Sequence, residues 1–412
     1  MSFRGKSLRP AFGLATLVFL LAGPVSAQTA TVGNLLGAVA NAGTPSGVQT
    51  LVELSSSATA AGSLNSATFS WSSGGCLASV KIKFFRPSGD TLLFLTERGP
   101  FNSSPFTVAL SPPVTVQAGD LIGVSNLSTT CGNPDGTAPG RAAGYVRFDS
   151  DVTTNVSRSS GQVATNFTLG LYASGPAAET VAGIVAVVVS SPGVGVPPSL
   201  FKTGVQMHNS TASAESGRLV FRRQGTSTAA GDASLSFSLA PGQAQSFDDL
   251  LPAMGLTGPQ IGSLDVVMPI GAPPPVVAVR IFNEGGTAGT SGFTVGLTFA
   301  DAVLGAGDRG VLFTPSDLAR FRLNIGVRTG AAGAAVIVTR RSSAGVVVQT
   351  LAKVYPPNFF EQIAAGAFLS GAAFGANDSI TIQVTAGSIT VYGATADNIS
   401  QDPSLQFATK AP

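Results

Sequence analysis

Ser79-Val80-Lys81-Ile82-Lys83-Phe84 alternates apolar and polar residues with a period of two. That alternation places Val80, Ile82 and Phe84 on one face of a strand and Ser79, Lys81 and Lys83 on the other. The expectation is a half-buried strand with its lysines toward water. Pro87-Ser88-Gly89-Asp90 predicts the turn that follows, and Thr91 to Thr96 the returning partner.

The same reading extends outward. Strands are predicted at Val48–Leu54, Ala67–Trp71, Phe106–Leu110, Leu121–Ser125, Gly144–Phe148 and Phe167–Tyr172. Val114 to Val124 reads as a tight hairpin, with Gly119 supplying a positive φ. Short strands at this spacing predict a jelly-roll-like β-sandwich over residues 28–175. Ser174 to Thr180 reads as a small-residue linker. Val181–Val189 is too short to span a bilayer and reads as the buried first strand of a second unit.

From there the chain repeats. Phe201-Lys-Thr-Gly-Val-Gln-Met207 matches Phe321-Arg-Leu-Asn-Ile-Gly-Val327. Leu219-Val-Phe-Arg222-Arg223 matches Ile337-Val-Thr-Arg340-Arg341, and Ser263-Leu-Asp-Val-Val matches Ser379-Ile-Thr-Ile-Gln. Ala240-Pro-Gly-Gln before Phe247-Asp-Asp-Leu-Leu matches Tyr355-Pro-Pro-Asn before Phe360-Glu-Gln-Ile. Val276 through Asn283 matches Ile389 through Asn398. Two β-sandwich repeats follow, 181–300 and 301–412, each of about seven strands and immunoglobulin-like, with strand order left open. Ser246-Phe-Asp-Asp249 predicts a capping box for one short helix. The fold class expected for the whole is all-β.

These motifs carry a resemblance. Residues 181–412 resemble the tandem repeat region of uncharacterised exported bacterial proteins with immunoglobulin-like β-sandwich repeats. The shared marks are Phe201 to Val205 and Phe321 to Ile325, the Pro356 to Glu361 turn, and Tyr392 to Asn398 with Asp402-Pro-Ser404. The resemblance implies export and a β-sandwich, and it carries over no functional residue.

The N-terminal 27 residues read as a bacterial-type signal peptide. Arg4, Lys6 and Arg9 form a basic segment, and Ala11 to Leu21 an apolar run. Gly23-Pro24 ends it before the small residues Val25-Ser26-Ala27. Cleavage near Ala27 would leave a secreted or extracytoplasmic chain, in the periplasm or at the cell surface, with no stable membrane span. No Cys follows the run to take a lipid, and no Arg-Arg pair precedes it. The chain has 23 Lys and Arg against 21 Asp and Glu; without the three basic residues of the leader, 20 face 21. A near-neutral chain with 11% charged residues lacks the footprint of a nucleic-acid or anionic-lipid binder.

Cys76 and Cys131 are the only cysteines, and in an exported chain they predict one disulfide. Such a bridge would stabilise the fold by about 4 kcal/mol in the chain-entropy picture. Phe (25) far outnumbers Tyr (4) and Trp (1), which favours packed cores over an aromatic sugar-binding face.

The search for chemistry yields no catalytic residue, no cofactor and no metal site. The only histidine, His208, stands beside Asn209 and corresponds to Arg328 in the second repeat, so it reads as a surface residue. Ser199-Leu-Phe-Lys202 and Lys202-Thr203-Gly204 imitate penicillin-recognising motifs, yet they share one lysine and lead into a strand. Asp149 and Asp151, and Asn133-Pro-Asp135-Gly, read as turn residues, with Ca²⁺ binding the competing reading. Asp248-Asp249 reads as the acidic first turn of the short helix. Asn126, Asn166, Asn209 and Asn398 open Asn-x-Ser/Thr triplets of little weight beside a bacterial leader.

The expectation is therefore an exported, non-catalytic structural or interaction protein, with an unknown protein or glycan ligand and no stated oligomeric state. The alternative is a carbohydrate-binding protein acting through Trp71, Tyr145 or Tyr172 of the N-terminal sandwich.

Overall fold

The computed structural model describes residues 29–34, 47–69, 79–102, 107–129, 132–137, 144–193, 199–227, 232–284, 289–299 and 302–411. The leader with its cleavage point, Trp71 and the Cys76–Cys131 bridge lie outside the described residues. What is described is almost wholly antiparallel β-structure.

The N-terminal part contributes β1 (Thr29–Gly33), β2 (Gln49–Glu53), β3 (Gly62–Phe69), β4 (Val80–Ser88), β5 (Thr91–Phe101), β6 (Thr107–Val116) and β7 (Leu121–Asn126). It continues with β8 (Asp135–Thr137), β9 (Tyr145–Phe148), β10 (Val156–Ser157), β11 (Gln162–Ala164), β12 (Phe167–Leu169) and β13 (Leu171–Pro176). One sheet runs β1-β13-β3-β6 and the other β10-β5-β4-β7-β2-β9-β11, with β8 and β12 paired apart. Val80, Ile82 and Phe84 point into the core between the sheets, beside Leu64, Phe69, Val114, Ile122 and Leu171. Phe85, the next residue of β4, points to the opposite face by simple alternation, and the extra residue at this step of the ladder is Leu95 of β5. On that opposite face Phe85 joins Val52, Val146, Phe148 and Val152 in a smaller cluster.

Three local expectations change. Ser174 to Thr180 is no linker, since β13 runs through Pro176 and β14 begins at Glu179. Val114 to Val124 is not a hairpin: β6 pairs with β3 in one sheet, and β7 lies between β4 and β2 in the other. Gly119, at φ 91°, turns the chain from sheet to sheet. Pro112 and Pro113 lack the N–H groups a second partner would need, which suits β6 to an edge. The turn is pinned by Asp120, which accepts from Gln117 N at 2.7 Å and from Arg86 Nε and Nη2 at 2.8 Å each. Lys83 does lie on the face away from the core, but it is fully buried rather than toward water.

The next sandwich comprises β14 (Glu179–Gly193), β15 (Ser199–His208), β16 (Glu215–Arg223), β17 (Ser234–Leu239) and β18 (Ala244–Phe247). A single helical turn α1 (Leu250–Ala253) precedes β19 (Gln260–Pro269), β20 (Val276–Asn283) and β21 (Ser291–Gly296). The last part contains β22 (Leu304–Gly305), β23 (Arg309–Phe313), β24 (Phe321–Arg341), β25 (Val347–Tyr355) and β26 (Phe360–Ala364). After α2 (Ala365–Phe368) come β27 (Ser379–Asp397), β28 (Pro403–Phe407) and β29 (Thr409–Ala411).

The wiring of the two parts coincides. β15 pairs with β20 and β18, β16 with β17 and β19, and β14 with β19. In the last part the first half of β24 takes the place of β15 and its second half that of β16. β27 likewise replaces β19 and β20. Both long strands shift register near Gly333 and Gly387, each at φ 71°. A Cβ on Gly387 would lie 2.0 Å from the Gly333 carbonyl oxygen, so the crossing of the two strands requires glycine. The likeness to an immunoglobulin domain stops at the two-layer architecture. There the first strand runs beside the second in an ABED sheet, whereas β14 runs mainly beside β19, the sixth strand of its set.

Ser246 is in β18 rather than at a helix start. The residue capping α1 is Asp249, which makes no side-chain capping bond, so the expected capping box is absent. Asp249 instead accepts from the Ser190 hydroxyl at 2.8 Å and ties the turn to β14.

Candidate functional site

On the outer face of the seven-stranded sheet, β4 presents Lys81 and Lys83 side by side. Lys81 Nζ lies 2.7 Å from Asp151 and 3.0 Å from Glu97. Lys83 Nζ lies 2.8 Å from Asp151 and also binds Glu97. Two cations and two anions thus close a balanced cluster over a buried lysine. Desolvation would raise the Asp151 carboxyl, but bonds from Lys81, Lys83 and Ser125 outweigh it and hold its pKa at about 2. A carboxylate neutralised by two ammonium groups is a poor Ca²⁺ ligand, since the cation would have to displace both. Asp149 bonds to Gln49 at 3.1 Å and pairs with Arg147 at 3.3 Å. Asn133 commits its amide to Gln49 and Asn126. The geometry favours fastening of the 149–152 segment over a cation loop.

A second charge cluster joins the last two sandwiches. Asp265, in β19, is fully buried. It accepts from Arg222 Nε at 2.6 Å and from Arg328 Nη2, in β24, at 2.7 and 2.9 Å. Arg222 also binds Asp232. The cluster again holds two cations and two anions, three of them at most 7% exposed. Ion pairs this deep persist only when each charge is bonded.

An aromatic wedge accompanies it. Tyr392 and Phe360 belong to the last sandwich by sequence, yet both are fully buried in the apolar cluster of the one before. Tyr392 stands opposite Gly326 across the β24–β27 ladder, and its ring lies where a Cβ would be, 2.0 Å from Cζ. Its hydroxyl donates to Gln362 Oε1 at 2.9 Å, and burial pushes the phenol well above its usual range. Gly225 N donates to Phe360 O at 2.9 Å. Each buried ring contributes roughly 1.5–3 kcal/mol.

The equivalent open faces lack these groups. With Phe201 set on Phe321 the ladders coincide: His208 opposite Val276 matches Arg328 opposite Thr390, and Gln206 opposite Ala278 matches Gly326 opposite Tyr392. Thr381 takes the position of Asp265 when Ser263 is set on Ser379. The joint is therefore built once.

The remaining residues singled out in the sequence do not converge. His208 is exposed on β15. Ser199 and Lys202 lie three residues apart in one strand, hence on opposite faces, and Lys202 pairs with Glu284. Asp248 is exposed while its neighbour Asp249 is half-buried on Ser190, so they do not face one cleft. Asn209 is fully buried, its amide bonded to the Ser213 and Leu239 carbonyls. Tyr145 is buried against Phe167, which removes it from an aromatic platform. Among the described residues no three or more His, Cys, Asp or Glu gather as a metal site.

Sequence reading missed the joint, although Leu264-Asp265-Val266-Val267-Met268 carried a signal. A lone acid inside a run apolar on both faces must meet a cation when buried. No protein-family model matches the chain, and no curated protein matches it.

Proposed function

We propose that this chain is an exported, non-catalytic structural or interaction protein that holds its sandwiches in a fixed arrangement. The observation that carries the reading is the joint around Asp265, where buried ion pairs and a buried aromatic wedge lock two sandwiches together. A hinge between catalytic parts would not sequester Tyr392 and Phe360 in a neighbour's core.

Partner contact is assigned to sheet edges. β25 is the outer strand of its sheet and leaves Val347, Val348 and Val354 at least half exposed, as is Val346 just before it. An unpaired apolar edge is a template for another chain.

The test is a pull-down from cell-surface fractions with residues 28–412, together with a glycan array. Capture of a protein that is lost in a Val348→Lys/Val354→Lys variant supports the reading. Binding to a defined polysaccharide, unchanged in that variant, would replace it with the carbohydrate-binding alternative.

A further inference from the structure

Beside the wedge the two sandwiches leave a cavity of about 220 Å³. Val187, Val189, Ile281 and Phe293 wall it from one sandwich, and Leu405 from the other. These are the rim of the first sandwich's apolar core. Into this surface the β24 strand brings one cation, Arg322.

Arg322 differs from its neighbours in what it bonds. Its guanidinium donates to Gln401 Oε1 at 2.7 Å and to Asn398 Oδ1 at 3.3 Å, both neutral amide oxygens. No carboxylate pairs with it among the described residues. The nearby acid, Asp397, is engaged by Arg320 at 2.7 Å. Burial therefore pulls Arg322 below the ordinary arginine value, whereas Arg222, paired with Asp265 and Asp232, is raised. A half-buried cation on an apolar wall, bonded to neutral amides and with its nearest acid, Asp397, already paired to Arg320, has no ion-pair partner of its own.

We propose that this cavity binds a small monocarboxylate with an apolar tail, its carboxylate on Arg322 and its tail against Val187, Ile281 and Phe293. A planar guanidinium matches a carboxylate in two parallel bonds. The volume is below the roughly 300–1,000 Å³ of drug-sized pockets, which fits a single ring or short acyl chain. The site stands apart from the β25 edge, and its failure would leave the scaffold reading untouched.

Titration calorimetry of residues 28–412 with octanoate tests it, with octanamide as the uncharged comparison. Octanoate should bind, and octanamide roughly ten- to a hundred-fold more weakly, as expected for loss of a charge-assisted bond. Arg322→Gln should weaken octanoate by a similar factor and leave octanamide unchanged. Ala394→Phe, which fills the cavity from the β27 wall, should abolish both in a variant that keeps the parent's circular dichroism spectrum. No octanoate binding at millimolar concentration, or binding undiminished in either variant, would overturn the proposal.

Discussion

Arg328 of the last sandwich places its Nη2 2.7 and 2.9 Å from the two carboxylate oxygens of Asp265 in the sandwich before it, and neither side chain is more than 1% exposed. The pair ties two pieces of sheet together, and separating them would expose charges and rings at once.

Removing the anion should cost more than removing one cation. Asp265→Ala leaves Arg222 and Arg328 buried without their shared partner, and a loss of roughly 3–5 kcal/mol is expected. Arg328→Met leaves Asp265 on Arg222 and should cost less. Guanidinium unfolding monitored by circular dichroism ranks the two; equal costs would mean that Arg328 alone carries the joint.

Gly326→Ala should displace the Tyr392 ring, since the new methyl would lie 2.0 Å from Cζ. Overpacking of this kind costs roughly 1–3 kcal/mol. In a Tyr392→Leu background most of that cost should vanish. A double-mutant cycle reads the coupling directly.

Acid should release the lysine cluster. The folded pKa of Asp151, about 2, lies below its ordinary 3.8. A depressed carboxyl stabilises fully above the ordinary value, and that contribution is lost as pH falls from about 4 to about 2. Asp151→Asn should therefore destabilise by about 2 kcal/mol at pH 6. The difference from the parent should close below pH 2. Urea midpoints measured across this range check it; a difference that persists in acid would assign the effect to packing.

The open faces carry Thr381 where the joint has Asp265 and His208 where it has Arg328. Residues 28–412 should therefore sediment as a monomer in analytical ultracentrifugation rather than stack head to tail. Filaments would mean that a surface other than this one associates.

Legibility followed the period. Val80, Ile82 and Phe84 could be placed on the core face from alternation alone, and they lie there. The Phe201 and Phe321 strands were aligned in the register that their ladders show. Arg222 and Arg340 were not. With Ser263 set on Ser379, the ladders bring Arg222 onto Arg341 instead, because Arg340 pairs with Ile380 while Arg222 pairs with Ser263. One residue of slip changes the face. Arg340 closes on Asp378 at 2.7 Å at the end of its own sandwich. Arg222 faces the joint.

By itself the sequence determined that the chain is built of strands, where several of them run, which of their faces are apolar, and that a pattern recurs along the chain. Those properties are local, since alternation and turn residues act within a few positions. The tertiary structure alone decided that Lys83 is buried, that Gly119 turns between sheets rather than within one, and that Arg328 meets Asp265. Each depends on what a distant strand brings to the same place, and residues 63 positions apart share no local period that would announce their contact.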